Sequence, residues 1–169
     1  MSCDKSQPSL YILLGLDGSH NMEEKPRPYL TAALLCEKVL IEQDGSVSVI
    51  RIADRVQLQM QGPPGVGLAG MAMPPGSGEP VPIFNLNCFV ALKSGPAIGD
   101  YTLRMTFLTP SGNVQGTPIE HNVKLLGKDT GQNLITQLYI AAQEEGLYWV
   151  IVTIDDMELT RIPLIVVRS

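Results

Sequence analysis

LCEKVLIEQDGSVSVIRI, Leu35 to Ile52, is the stretch that decides the fold. Two apolar-rich runs flank Gln43-Asp44-Gly45. An Asp-Gly pair between such runs marks a tight β-hairpin, because the turn needs positive φ and these residues accept it. In the second arm Val47, Val49 and Arg51 fall on one face, with Ser48, Ile50 and Ile52 on the other. Further along, Tyr101, Leu103, Met105 and Phe107 alternate with Thr102, Arg104 and Thr106. That period of two describes a half-buried antiparallel strand, and it runs into a turn at Thr109-Pro110-Ser111-Gly112-Asn113. Val81 to Leu92 is another strand.

The C-terminal third repeats the logic. Leu147 to Ile154 is rich in β-branched and aromatic residues, Asp155-Asp156 makes the turn, and Leu159 to Val167 returns. Pro163 within that last run lacks an N–H for the ladder, so the run is an edge strand or carries a bulge. Gln132 to Glu145 is open between strand and a helix with Leu134, Ile135, Leu138 and Ala142 as its stripe. The strand is favoured by its neighbours. Residues 62–80 hold eleven Gly or Pro in nineteen positions, which predicts a long loop without regular structure. Residues 17–28 read as a polar linker. The expected organisation is therefore an N-terminal segment and linker at 1–29, followed by one domain at 30–169. Seven or eight short strands with turns between them predict an all-β fold, a two-sheet antiparallel β-sandwich of immunoglobulin-like type with a long Gly/Pro-rich loop.

Composition narrows the function classes. The chain has 169 residues, 44% hydrophobic and 17% charged, and a net charge of −5. Hydrophobicity this high with few charges excludes a disordered chain. An acidic surface repels phosphate backbones, so nucleic acid is not expected as a partner. Leu10 to Leu16 is an apolar run of seven residues, too short to span a bilayer and followed by Asp17-Gly18 in place of a small-residue cleavage site. A soluble cytoplasmic protein without membrane contact is the expectation. Cys3, Cys36 and Cys88 are an odd number with no CxxC spacing, which reads as reduced thiols, with Cys36–Cys88 the one disulfide worth considering.

Glu145-Gly146-Leu147-Tyr148-Trp149 is compatible with a tyrosine corner, in which the hydroxyl bonds to upstream backbone, or with two ordinary core aromatics. The stretches Ala33-Leu34-Leu35-Cys36-Glu37-Lys38-Val39 and Gly45 to Arg55 (GSVSVIRIADR) resemble the start of an uncharacterised bacterial family of immunoglobulin-like β-sandwich domains of unknown function. Gly99-Asp100-Tyr101-Thr102-Leu103 and Gly146 to Trp149 fit the same plan. The resemblance covers about residues 30–167 and implies a fold, with no chemistry attached.

Candidate chemistry is thin. Gly62-Pro63-Pro64-Gly65-Val66-Gly67 imitates a phosphate-binding loop, but Leu68 and Ala69 stand where a Lys and a Ser/Thr are needed, and prolines block a following helix. His20 and His121 are the only histidines. Ser19-His20 is a dipeptide in the linker, and a thiol nucleophile would require Cys36 or Cys88 beside His121 although both cysteines sit in apolar strands. Asp155, Asp156 and Glu158 supply too few oxygens for calcium and read as turn chemistry. No catalytic, metal or cofactor residue is assigned, and no cofactor is expected. Arg51, Asp54 and Arg55 end an apolar strand and face Glu37 or Lys38 across the hairpin, either as a cross-strand salt-bridge cluster or as a partner-binding patch. Met71 and Met73 in the long loop offer adaptable apolar contacts to a partner. The function expected from these residues is a non-enzymatic binding or scaffold module for a protein partner or self-association. A carbohydrate- or small-ligand-binding sandwich is the alternative, ahead of a small hydrolase or nucleotide enzyme.

Overall fold

The computed structural model describes residues 25–58, 69–72 and 81–168. Among these the chain forms eight β-strands and no helix: β1 (Tyr29–Ile41), β2 (Val47–Ile52), β3 (Arg55–Leu58), β4 (Ala69–Ala72), β5 (Val81–Leu108), β6 (Ile119–Ala141), β7 (Gly146–Ile154) and β8 (Met157–Arg168). The fold is all-β.

The Asp-Gly hairpin forms as the sequence predicts, with β1 antiparallel to β2 and Ile41 opposite Val47. Gly45 adopts φ of 81°. The Ser46 hydroxyl (2.6 Å) and the Ser46 N–H (2.9 Å) donate to Asp44 Oδ1, and they hold this carboxyl below its ordinary range. Arg51 departs from the expected alternation because its φ is 57°. At the other end of the chain Asp155 and Asp156 both have positive φ, 44° and 66°, the signature of a two-residue hairpin turn, and Ile154 pairs with Met157 across it.

The two strands expected at Val81–Leu92 and Tyr101–Phe107 are one strand of 28 residues. β6 pairs with it from Met105–Ile119 to Ile83–Ala141. Both strands bend at the same level, where the register slips between Lys93, Gly95 and Ile98. Gly95 and its opposite number Lys128 are both left-handed, each with φ of 54°. A Cβ on Gly95 would overlap the Tyr29 ring, so glycine here accepts the left-handed φ and lets that ring lie against the bend. Residues 132–141 are strand: Leu138 and Ile140 are buried while Tyr139 between them is 72% exposed, a period of two that rules out the helical stripe. The unbroken loop expected at 62–80 is corrected in part, because β4 pairs antiparallel with the start of β5, Ala69 opposite Phe84 and Ala72 opposite Val81. These four residues contain no proline, so each keeps the N–H that an edge pairing needs.

All eight strands belong to one hydrogen-bonded sheet, ordered β2-β1-β5-β7-β8-β3, with β4 and β6 also paired to β5. This replaces the expected pair of separate sheets with a single curled, open sheet, a half-barrel. The physical reason is the length of β5 and β6. Their first and second halves lie in different walls of the molecule, so hydrogen bonding continues around the bend. β1 adds to the first half of β5 (Leu35 opposite Cys88) and β7 to the second (Phe107 opposite Val150). The concave side is the core, where Leu35, Val90, Leu103, Tyr148, Val152 and Leu164 are at most 1% exposed. Pro163 stands opposite Trp149, at a point on β8 that the parallel strand β3 does not reach, since that pairing spans Ile165 to Arg168. Among the described residues, no helix is long and apolar enough to cross a membrane.

Candidate functional site

The half-barrel is open along β6, which pairs with β5 on one side and with no strand among the described residues on the other. Side-chain contacts bridge this opening, among them Ser111 Oγ donating to Glu144 Oε1 at 2.7 Å. His121 Nε2 lies 2.8 Å from Thr136 Oγ1. Gln115 Nε2 donates to the Ala141 carbonyl at 2.6 Å, while the Gln115 N–H donates to Phe107 O at 2.8 Å. Beside them lies a groove of about 430 Å³. Its apolar wall comprises Met105, Phe107, Ile119, Leu138, Ile140 and Val150, which are inward positions of β5, β6 and β7 set by the alternation of each strand.

The polar lining is amide and hydroxyl. Gln137 Oε1 accepts from the Tyr139 hydroxyl at 3.1 Å, and Gln115 Oε1 is buried without a partner. Tyr139 carries the only titratable side chain among the lining residues. The lining is mostly apolar, and among the described residues it holds no acid–base pair and no nucleophile beyond hydroxyls.

One end of the groove is formed by Gln143, and the turn that carries it is tied down from two directions. The Tyr148 hydroxyl donates to Glu144 O at 2.8 Å and accepts from Glu144 N–H at 3.1 Å. Burial raises the pKa of that phenol, which keeps it a donor. The Tyr148 ring packs 5.6 Å from Phe107. Arg168 Nη2 donates to both Ala142 O and Gln143 O. The hydroxyl-to-upstream-backbone bond read from Gly146-Leu147-Tyr148 is thus present.

The residues singled out from sequence lie elsewhere. Arg51 Nη1 is 3.2 Å from Glu37 Oε2, the cross-hairpin contact foreseen for it. Asp54 and Arg55 are exposed and form no ion pair among the described residues; the Asp54 carbonyl accepts the Ile165 N–H at 2.9 Å. Met71 lies on β4 opposite Pro82. Met73, the phosphate-loop imitation at 62–67 and Ser19-His20 fall outside the described residues.

The turn acids each have a cationic partner: Asp155 meets Lys25 at 2.6 Å, Asp156 meets Arg104 at 2.5 Å and Glu158 meets Arg161 at 2.7 Å. That pairing occupies the oxygens a calcium ion would need. Cys36 faces Asn87 and Cys88 faces Leu35, so the two thiols point to opposite faces of the sheet, and both are free. Thr136, the partner of His121, stands opposite Cys88, yet burial pushes the Cys88 thiol up to about 12, far from a nucleophilic thiolate.

A family described as "Family of unknown function (DUF6941)" matches residues 78–167, just over half of the chain. The chain belongs to DUF6941. No curated protein matches its sequence. The DUF6941 region runs from just before β5 almost to the end of β8 and contains every residue that lines the groove. It also contains Gly99–Leu103 and Gly146–Trp149, but Ala33–Arg55, the other support for the family resemblance, precedes it.

Sequence reading missed the groove because its lining residues look like ordinary core. The signals available were the polar Gln115-Gly116-Thr117 after the turn and the two glycine-rich interruptions at Gly95–Gly99 and Gly127–Gly131, which together mark a bent hairpin with an open lip.

Proposed function

We propose that this protein is a non-enzymatic binding module that takes an apolar protein segment in the mouth of the half-barrel. One observation carries the reading: the apolar groove lies directly beside the edge of β6 that pairs with no strand among the described residues. An extended segment there gains main-chain hydrogen bonds from the edge and side-chain burial from the groove. The exposed aromatics Tyr29 and Tyr139 stand opposite Lys93 and Asn85, eight positions apart on β5, or about 27 Å. They make no row for a sugar, which favours the protein partner over the carbohydrate alternative. Arg51, Asp54 and Arg55 form a second, weaker candidate patch. We read the half-barrel as a variant of the immunoglobulin-like sandwich, supported by the Tyr148–Glu144 bond.

The test is co-purification from the native host with wild type, Ile119→Trp, which enlarges an inward side chain of the groove wall, and Arg55→Glu. A partner retained by wild type and Arg55→Glu but lost by Ile119→Trp, with the β-sheet circular dichroism spectrum intact, is the expected outcome. Full retention by Ile119→Trp sinks the groove reading.

A further inference from the structure

We infer that the partner of the open β6 edge is a second copy of the same chain, joined by antiparallel pairing of residues 133–141 with themselves about a two-fold axis at Gln137. This rests on the reading of that edge as a binding surface and names what binds there. The Ala142 N–H donates to Pro82 O on β5 at 2.8 Å, whereas Ala141 O turns the other way and accepts from Gln115. The register with β5 is unbroken from Gly131 to Ala141. The odd positions 133, 135, 137 and 139 therefore direct their N–H and C=O groups away from β5, towards the open edge. Their side chains share the outer face of the sheet, where Asn133, Ile135, Gln137 and Tyr139 are all exposed.

This stretch is complementary to itself. Gly131 to Gln143 contains no charged residue and no proline, so two copies of a chain with net charge −5 meet here without like charges opposed. Edge strands are ordinarily blunted by charge, irregularity or shortness. Arg51 breaks β2 with its left-handed φ of 57°, β3 has four residues, and the first half of β6 carries Glu120, Lys124 and Lys128. The second half of β6 has none of these devices. An axis at Gln137 sets Ile135 opposite Tyr139 of the second copy, an aromatic–aliphatic pair of the stabilising kind, made twice by symmetry. Ile135 stands opposite Phe89, and Phe89 opposite Leu34, in one outer-face row across β6, β5 and β1. Phe89 is only 7% exposed, while Tyr139 is 72% exposed in the single chain. The Tyr139 ring of the second copy extends that apolar row. An axis one residue away, at Thr136, sets Tyr139 opposite Asn133 and loses the pair. Ile135–Tyr139, Gln137–Gln137 and Tyr139–Ile135 exchange about six main-chain hydrogen bonds and join the two curled sheets.

Sedimentation equilibrium and oxidative cross-linking of the full chain test this. Wild type at high micromolar concentration sediments at twice the 18.3 kDa of one chain. Gln137→Lys, which opposes two ammonium groups at the axis, sediments as a monomer with its circular dichroism unchanged. In a Cys3→Ser background, whose remaining thiols Cys36 and Cys88 are buried, Gln137→Cys oxidises to a covalent dimer and Asp54→Cys does not. Opposed residues of a hydrogen-bonded pair stand about 5.5 Å apart at Cα, within disulfide reach. A monomeric wild type overturns the inference. So does a dimer that survives Gln137→Lys, or one in which Gln137→Cys fails to cross-link. If it fails while partner capture is still lost in Ile119→Trp, the groove reading stands. A dimer abolished by Gln137→Lys, with capture untouched by Ile119→Trp, upholds the inference and removes the groove as a site for a foreign segment.

Discussion

The two flanks of the bent β5–β6 hairpin are closed in different ways. On the flank where β1 and β7 diverge from β5, residues 25–28 cross the gap. Lys25 is paired to Asp155, and Pro26 O is held by the Tyr101 hydroxyl. On the β6 flank the His121–Thr136, Gln115–Ala141 and Ser111–Glu144 contacts are side-chain bridges, and a groove of about 430 Å³ remains. A main-chain segment strapped across a gap satisfies the groups on both sides. Side-chain bridges leave the apolar wall open and the outer edge of β6 without a strand among the described residues. The difference fits a structural role for the first flank and the proposed binding role for the second.

Tyr101→Phe carries the largest expected effect on that contrast. It deletes a donor on a residue only 2% exposed and leaves Pro26 O without its partner, a loss of about 1 kcal/mol. The melting temperature should fall by about 2–4 °C, with faster amide exchange at Leu30–Leu35 and none at 136–141. An unchanged melting temperature would mean that the strap closes nothing.

The ion pair of the same flank gives a smaller, pH-dependent effect. Burial raises the Asp155 pKa, but the Lys25 and Thr102 hydrogen bonds and the Lys25 charge outweigh it, so the net shift is downward. A carboxylate with a depressed folded-state pKa adds stability that is complete above the unfolded value near 4 and is lost as pH falls through the folded value. Since both partners are partly exposed, at 44% and 29%, the contribution is under about 1 kcal/mol. Denaturant titrations of wild type and Asp155→Asn should differ at pH 7 and converge below about pH 4. A gap that stays constant across that range would show that the charge is not involved.

The smallest effect is expected on the open flank. Gln115→Ala removes the bond to Ala141 O but also the buried, unpartnered Oε1. The two changes offset each other to within about 0.5 kcal/mol. Chemical denaturation that shows a loss above about 1 kcal/mol would make Gln115 a structural latch and weaken the contrast between the flanks.

The hairpin elements were legible in the sequence. Asp44-Gly45 and Asp155-Asp156 are turns because their backbones accept positive φ, and the inward set Tyr101, Leu103, Met105 follows from a period of two. Gly95-Pro96 carried a misleading signal. Gly and Pro punctuate loops and bulges alike, so a bend within one strand read as a gap between two. Ala69–Ala72 was hidden for a related reason, since four prolineless residues inside a Gly/Pro-rich tract show their strand character only against a partner edge. The groove went unseen because Met105, Ile119 and Leu138 have the same pattern whether they face a closed core or an open lip. Arg51 was placed correctly against Glu37, while Asp54 and Arg55 did not join it.

By itself, the sequence determined the strand-forming segments, their turns and which side chains face inward, because these depend on φ preferences and on alternation within a few residues. Only the tertiary structure decided that β5 and β6 continue through a bend, that the eight described strands share one curled sheet and that an apolar groove lies beside the edge of β6, which pairs with no further strand among the described residues. Which edge finds a partner is settled by pairing between residues far apart in the chain, and no local preference encodes it.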